Sequence, residues 1–232
     1  MSKYQDVFAQ YSHVLLAVVH AESKEQALRN TEIAFEGGAH GIFLINHDIK
    51  WKGLIACYKH VREQYPHKWI GLNFLDLSSI AALEKVNNLT VPADGLWVDD
   101  GGITDAGCID AAYLSSQVYE SGWNGLLFGG VAFKGQSQIE YPGRAAELAA
   151  GCMDIITTSG YSTGIAADLS KIKLMHKGAD GHPLAIASGI TPENIREYMP
   201  YVDCFLVATG ISISHTELDP TLVRKLVDAV SN

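Results

Sequence analysis

The chain has 232 residues, of which 47% are hydrophobic and 19% are charged, and its formal net charge is -9. This composition is that of a globular protein with a sizeable core. No basic stripe and no run of like charge occurs, which argues against a nucleic-acid partner. A phosphorylated partner stays compatible with the net charge, because backbone amides and helix ends bind phosphate locally.

The sequence shows no sign of secretion or of membrane insertion. The first thirteen residues are polar and lack the apolar region of a signal peptide, and no apolar run reaches membrane-spanning length. The cysteines form neither a C-x-x-C pair nor a zinc-ligand spacing, so we expect buried, reduced thiols. These features predict a cytoplasmic protein.

Short apolar runs alternate with segments of helical periodicity along the whole chain. The apolar runs predict strands at 14–21, 41–46, 69–76, 95–100, 125–133, 154–160, 183–190 and 204–211. The intervening segments predict helices at 23–38, 51–66, 78–89, 106–121, 141–152, 168–179, 191–202 and 219–230. Ser23 with Gln26 three residues later predicts a capped helix start.

Eight strand–helix units in a chain of this length predict an α/β fold, the (β/α)8 TIM barrel with eight parallel strands. The strands are continuous apolar runs, as expected when both faces of the sheet are covered. A doubly wound open sheet is the alternative, but the even rhythm favours the barrel. No linker or shift in composition interrupts residues 1–232, which predicts a single domain.

The fourth predicted strand runs into GLWVDDGGITDAG at residues 95–107. An apolar strand, two acidic residues and a threonine in a glycine-rich loop resemble the phosphoribosyl-pyrophosphate signature of type I phosphoribosyltransferases. In that family the acidic pair holds ribose hydroxyls and the loop amides hold the 5-phosphate. This chain has Asp105 where that family has glycine, and a carboxylate there would repel the phosphate. We therefore interpret Asp99 and Asp100 as carboxylates at a strand end, and keep a ribose or metal–diphosphate site as the alternative.

Polar residues stand at almost every predicted strand end, where barrels of this kind place their active sites. Eight polar strand ends around one rim predict a site there. The predicted catalytic residues are His20, Asp99, Asp100 and Lys134. The residues predicted to bind substrate are Asn46, Asn73, Thr158, Ser159, Thr163, Ser188, Gly189, Thr209 and Gly210.

The predicted phosphate site lies in the loops after strands seven and eight. These loops carry Ser188-Gly189 and Thr209-Gly210, and glycine lets the backbone approach phosphate oxygens closely. The loop at 158–168 either closes over a ligand or is an ordinary connection in which Asp168 caps the next helix.

The proposed chemistry of the acidic residues and of Lys134 leaves alternatives open. Asp99 or Asp100 would be a general base, with His20 or His47 as the acid. We interpret Lys134 as a charge anchor, with a Schiff-base lysine or a solvated lysine as alternatives.

A metal site is a lesser alternative. His20 and His47 would hold a divalent cation together with the carboxylates if their strand ends converge, and the carboxylates, including Asp76, would suit magnesium. No residue is assigned as a metal ligand, and magnesium is the only cofactor kept open.

The segments DIITTSGYSTG and PLAIASGITPENIREYMPYVDCFLVATGIS resemble the BtpA-like barrel family. Members carry a TG-bearing loop after strand six, an SG-[IV]-TPEN turn after strand seven and a D-x-[FI]-x-V-[AG]-[TS] strand. The stretches AVVHAES and FLINH are consistent with that family's first two strands, although here the histidine leads into AESKEQ rather than a proline-rich loop. The resemblance implies a (β/α)8 fold among phosphate-binding barrels. Proteins of this kind have been described as a photosystem I biogenesis factor and as phosphoribosyltransferases.

The sequence therefore predicts an enzyme acting on a small phosphorylated metabolite, a phosphosugar or a phosphoribosyl compound. The alternatives are a phosphoribosyltransferase that uses Asp99 and Asp100, and a non-catalytic assembly factor. The sequence leaves the oligomeric state undecided, and a homo-oligomer is one alternative, since barrels often pair through their exterior helices.

Overall fold

The protein is described by a computed structural model that covers residues 2–231, in which eight parallel strands close into a barrel. Each strand pairs with its neighbours in sequence, and β1 also pairs with β8. The strands are β1 Val14–Ala21, β2 Gly41–Asn46, β3 Ile70–Asn73, β4 Gly95–Val98, β5 Leu126–Gly130, β6 Ile155–Ser159, β7 Leu184–Ala187 and β8 Cys204–Val207. The predicted (β/α)8 fold is confirmed.

Helices follow the strands and cover the outside of the barrel. They are α1 Lys3–Phe8, α2 Lys24–Glu36, α3 Trp51–Gln64, α4 Ser79–Asn87, α5 Ile109–Ser121, α6 Pro142–Ala149, α7 Leu169–Ala179, α8 Ile195–Tyr198 and α9 Pro220–Ser231. A 3-10 turn, Thr209–Ile211, follows β8. Ser23 caps α2 as predicted, because its side chain accepts from the Gln26 N–H at 3.1 Å.

Strand residues alternate between two separate apolar layers. One set packs outward against the helices, and the other fills the barrel interior with rings such as Phe43, Trp97 and Phe128. Because every strand is buried on both faces, each reads as an unbroken apolar run in the sequence. The alternation decides which polar residues at the strand ends point into the barrel.

The helix α1 closes the amino-terminal end of the barrel and was not predicted from the sequence. Its Tyr4 and Phe8 are buried in the interior layer, and the Phe8 ring lies 5.6 Å from that of Trp69. The Tyr4 hydroxyl donates to the Asp203 carbonyl at 3.0 Å. With this end sealed, the carboxyl-terminal end is where the interior opens to solvent.

The helix after β7 is much shorter than the predicted 191–202. It begins only at Ile195, because side-chain bonds hold the preceding residues in a turn. Asn194 accepts from the Thr191 N–H at 2.9 Å and donates to the Gly189 carbonyl at 2.8 Å. The asparagine thus ties the helix start to the end of β7.

No helix among residues 2–231 is long and apolar enough to cross a membrane. The four cysteines are free thiols, and all but the half-buried Cys108 are buried.

Candidate active site

The open end of the barrel brings several of the predicted residues together. His20, Asn73 and Asp99 lie on β1, on β3 and just after β4, at positions that alternate inward with the interior layer. Lys134 reaches this mouth from the loop after β5, because its Nζ lies 3.4 Å from the Ser188 hydroxyl after β7. Residues far apart in sequence therefore share one concave end.

Asp99 is a carboxylate held in place and shifted toward its protonated form. The Asn73 side-chain amide donates to Asp99 Oδ1 at 2.9 Å, which fixes the carboxylate against the neighbouring strand. Burial raises the pKa of Asp99, while the Asn73 bond and the charge of Lys134 oppose that rise. A carboxyl group tuned in this direction is suited to exchanging protons near neutral pH.

Lys134 is tuned in the opposite direction. Burial lowers the pKa of Lys134, and the nearby Asp99 carboxylate partly restores it. Its Nζ donates to the Thr163 hydroxyl at 3.2 Å as well as to Ser188. The ammonium therefore has hydroxyl partners and no directly bonded carboxylate among residues 2–231, which leaves its charge available to a ligand.

The side chains of Asp99 and Asp100 have different partners. Asp99 faces the interior, whereas the Asp100 side chain accepts from the Gly102 N–H at 2.9 Å and from the Gln136 amide at 3.3 Å. Successive residues at a strand end point to opposite sides, so the two carboxylates separate. Asp100 stabilises its own loop through these bonds, and the catalytic role of both carboxylates stays a prediction.

In the loop that resembles a phosphoribosyl-pyrophosphate loop, some backbone amides form hydrogen bonds within the loop itself. Thr104 and Gly107 exchange both backbone hydrogen bonds, at 2.9 and 3.1 Å. Asp105 accepts from the N–H groups of Glu140 and Tyr141, and so holds the start of α6. These bonds engage the Thr104 and Gly107 amides within the loop, whereas the Asp105 and Ala106 amides have no acceptor among residues 2–231.

Ser188 adopts a conformation that serine rarely takes. Its φ is 77°, in the left-handed region, and a non-glycine residue there costs free energy. Strain of this kind is often kept at functional sites. At Ser188 it presents a hydroxyl to Lys134, which links the end of β7 to the loop after β5.

We expect the S188G variant to be more stable than the unchanged protein. Relief of the left-handed strain gains about 1–2 kcal/mol, and the added freedom of the unfolded chain returns about 0.5–1 kcal/mol of it. The net gain should raise the thermal midpoint by about 2–4 °C for each kcal/mol. The matched control is D180G, since Asp180 has a φ of 47° at the end of α7, away from the mouth. A lower midpoint for S188G would show that the Lys134 contact outweighs the strain.

Glycines lock the loops after β6, β7 and β8 together. A Cβ at Gly189 would lie 2.0 Å from the Ala166 nitrogen, and one at Gly210 would lie 1.9 Å from the Ile190 carbonyl oxygen. Hydrogen bonds within residues 2–231 leave the N–H groups of Gly189, Thr209 and Gly210 without an acceptor. The interlocked loops thus carry free donors, the feature that an anion site requires.

Asn46, Thr158 and Ser159 brace loops, and Ser159 also lines a cavity beside Lys134. Asn46 bonds Asp76, the Ile49 carbonyl and the Leu75 N–H. Thr158 donates to the Ala132 carbonyl at 3.3 Å, and Ser159 accepts from the Lys134 N–H at 2.8 Å. Their predicted part in binding stays a prediction, and their bonds give each a structural role.

The loop at 158–168 caps the next helix as predicted and also reaches the mouth, while its closing over a ligand stays a prediction. Asp168 caps α7 by accepting from the Ser170 N–H at 2.7 Å. Thr163, near its tip, contacts Lys134 at the mouth. The loop is therefore anchored at its end and touches the site in its middle.

Lys171 and Gln136, near Lys134, were not selected from the sequence. Lys171 on α7 donates to the carbonyls of Ala132 and Ser159, and burial lowers its pKa to about 8. Gln136 bonds the Asp99 and Gly130 carbonyls, both at 3.0 Å, and so joins the loops after β4 and β5. Helix and loop residues like these carry no strand-end signal, so the barrel pattern did not select them.

Three histidines meet on the β1 side of the mouth. The ring of His20 lies 4.6 Å from that of His47 and 4.4 Å from that of His215, which the sequence did not select. Burial, with the charges of the other two rings, lowers the pKa of His20 to about 3. His20 is therefore neutral at physiological pH and is not a strong proton donor in this state.

Several buried polar atoms of the barrel interior have no hydrogen-bond partner among residues 2–231. They are His20 Nδ1, Trp97 Nε1 and Thr157 Oγ1. Two cavities, of about 650 and 750 Å³, meet at Lys134, and the larger is also lined by Asp99 and Asp100. These volumes are those of small-molecule sites.

Comparisons with known proteins identify the fold and no sequence family. No protein-family model matches the chain, and no curated protein matches its sequence. The structure of phosphoribosyl anthranilate isomerase from Thermus thermophilus is 15% identical, with a TM-score of 0.65 over 94% of this chain and 98% of that one. The BtpA-like resemblance stays a prediction.

Two further solved structures are similar over almost their whole length. Thiamine phosphate pyrophosphorylase from Pyrococcus furiosus is 16% identical, with a TM-score of 0.63 over 96% of this chain and 97% of that one. (S)-3-O-geranylgeranylglyceryl phosphate synthase from Thermoplasma acidophilum, in complex with sn-glycerol-1-phosphate, is 13% identical, with a TM-score of 0.66 over 100% and 99%. At these identities the likeness shows the TIM-barrel fold alone.

Proposed function

We propose that this protein is an enzyme that binds a small phosphorylated metabolite at the mouth of its barrel and catalyses proton transfer on it. The observation that carries the proposal is the pair formed by Asp99 and Lys134. Burial raises the pKa of Asp99 and lowers the pKa of Lys134, so both pKa values shift toward neutral pH. Both residues lie at the same concave end of the barrel. Pairs of titratable groups shifted by their surroundings are typical of acid–base sites.

The phosphate would bind where the loops after β7 and β8 meet. Gly189, Thr209 and Gly210 have free N–H groups there, and Ser188 links this region to the Lys134 ammonium. Barrels of this fold commonly bind phosphate in these two loops. The similar structures support this reading, because their names describe a phosphoribosyl compound, a thiamine phosphate and a glycerol phosphate.

The acid–base pair would act on the part of the substrate that lies deeper in the mouth. Asp99, fixed by Asn73, would remove a proton as a general base, and Lys134 would stabilise the negative charge that develops. Substrate carbonyl or hydroxyl groups would meet the unpartnered Trp97 Nε1 and Thr157 Oγ1. In an isomerisation of a phosphorylated sugar derivative, Asp99 would then return the proton to a neighbouring atom of the substrate, so that the base is regenerated.

A phosphoribosyltransferase is the second candidate, as the stretch at residues 95–107 suggested, and the BtpA-like relation is proposed beside it. The observation in its favour is the larger cavity, which Asp99 and Asp100 both line. It requires magnesium and release of pyrophosphate, so magnesium dependence distinguishes it from the isomerase.

A thermal-shift screen tests the proposal. Phosphosugars, phosphoribosyl pyrophosphate and inorganic phosphate are added with and without magnesium, since a ligand of the folded state raises the unfolding midpoint. We expect a magnesium-independent shift with a phosphosugar. Loss of one charge-assisted bond in K134M should weaken that ligand about 10- to 100-fold.

The matched control is K177M, which removes a positive charge from the exposed end of α7. Substitution of Gly210 is unsuitable here, because its Cβ would clash with the Ile190 backbone. An equal loss of binding in K177M would mean that only net charge matters. No shift with any phosphorylated compound would reject the proposal and favour the non-catalytic barrel.

A further inference from the structure

Barrel closure brings three histidines together from distant parts of the chain. His20 lies on β1, His47 follows β2 and His215 follows β8. Because β1 pairs with both β2 and β8, the loops of its two neighbours flank His20 at the mouth. The three rings form a triangle with centroid separations of 4.4 to 5.0 Å.

The distances between ring nitrogens of the three histidines are close to those between the ligands of a metal ion. One ring nitrogen from each histidine lies within 4.8 Å of the others. In a tetrahedral zinc site with bonds of about 2.0–2.1 Å, ligand nitrogens stand about 3.3 Å apart. The separation must therefore shrink by about 1.5 Å at most. His47 and His215 are exposed side chains on loops, so they have room to move, while His20 is fixed on its strand.

His20 supplies an independent indication of a ligand. The residue is 8% exposed, and its Nδ1 is buried without a hydrogen-bond partner in the part of the chain that the structure describes. Metal-bound histidines use one nitrogen for the metal and usually donate the other N–H to a carbonyl or a carboxylate. His20 thus has one buried ring nitrogen free to bind a metal.

The ligand set selects the class of metal. Three imidazoles suit zinc, cobalt, iron or nickel, whereas magnesium prefers oxygen ligands. The carboxylates expected to join a magnesium site are engaged elsewhere, since Asp76 bonds Asn46 and Asp99 bonds Asn73.

We propose that His20, His47 and His215 bind one divalent transition-metal ion at the mouth of the barrel. Three protein ligands leave one tetrahedral position open, as catalytic zinc sites do. That position would accept a water molecule or a substrate oxygen. The metal site does not depend on the proposed phosphate site, and either can fail alone.

Titration of the full chain with Co²⁺ tests this site, after removal of bound metal with a chelator. Four-coordinate Co²⁺ gives strong visible d–d absorption, and calorimetry gives the stoichiometry. We expect one site with that spectrum. H215A and H47A should each weaken binding by more than about 100-fold, because even an outer partner of a ligand is worth about 10- to 100-fold. Both residues are exposed, so these variants should fold.

The control is H67Q, which removes an exposed histidine that contacts neither His20 nor the mouth. Its Co²⁺ affinity and spectrum should equal those of the unchanged protein. The proposal is overturned if Co²⁺ gives no four-coordinate spectrum, or if H215A binds as tightly as H67Q. A phosphosugar shift that survives in H215A would separate this result from the proposed function.

Discussion

The D99N variant should lose about 100- to 10,000-fold in kcat/KM on the substrate found by the ligand screen, the range that a general base supplies. Asparagine keeps the oxygen that accepts from the Asn73 amide at 2.9 Å, so the side chain should stay in place. The substrate should still bind, because Lys134 and the free amides remain. The loss should therefore fall on kcat, with KM changed only a few-fold.

The same variant should unfold at a higher temperature. Burial raises the pKa of Asp99, which means that the folded state disfavours the charged carboxylate. Since the folded pKa exceeds the unfolded one, Asp99 lowers stability as pH rises through its folded pKa, and has no such effect below both values. The gain in D99N should be about 0.5–2 kcal/mol at neutral pH and should vanish in acid.

Asp100 provides the matched control for D99N. It is the next residue, carries the same charge and caps its own loop through the Gly102 N–H. D100N should change kcat only a few-fold and should not raise the unfolding midpoint. Equal losses of kcat in the two variants would contradict the division of roles between the two carboxylates.

The pH profile of the reaction provides a second check on the pair. Activity should rise with pH as Asp99 ionises, at a pH above the ordinary range for aspartate. It should fall as Lys134 loses its proton, at a pH below the ordinary range for lysine. The rising limb should disappear in D99N, while the falling limb should disappear in K134M.

The fold could be predicted from the sequence because the strand–helix alternation is regular and each strand is apolar throughout. The uniformly apolar strands also made the site residues hard to predict. Because both faces of each strand are buried, no polar–apolar alternation shows which strand-end residue points inward. Asn46 and Thr158 were selected with His20 and Asn73 for this reason, although the first two face the helix layer.

The histidine triangle could not be predicted from the strand pattern, because that pattern does not contain the path of the loops. A closed barrel implies that β8 lies beside β1, but the position of His215 depends on the folded path of its loop. The interlock of Gly189 with Ala166 is likewise a contact between loops. Helix α1 was not predicted, because only Tyr4 and Phe8 of its six residues are buried and the segment therefore shows little apolar periodicity.

Phe43 should be the most costly interior side chain to truncate. Its ring is fully buried and lies 5.0 to 5.6 Å from those of Trp69, Trp97 and Phe128. F43A should lower the free energy of unfolding by about 3–5 kcal/mol, the usual cost for a buried phenylalanine. Urea denaturation, with fluorescence and circular dichroism as coincident probes, would measure it.

Gly71 should be coupled to Phe43, because the ring occupies the space that a side chain at residue 71 would need. The two residues are register partners on β2 and β3, and a Cβ at Gly71 would lie 2.2 Å from the ring. G71A should cost about 1–3 kcal/mol by overpacking, and less in the smaller F43L background. The coupling in this double-mutant cycle should be about 0.5–3 kcal/mol. G151A is the control, since the nearest atom to its Cβ is 3.9 Å away, and additive costs for the pair would contradict this packing.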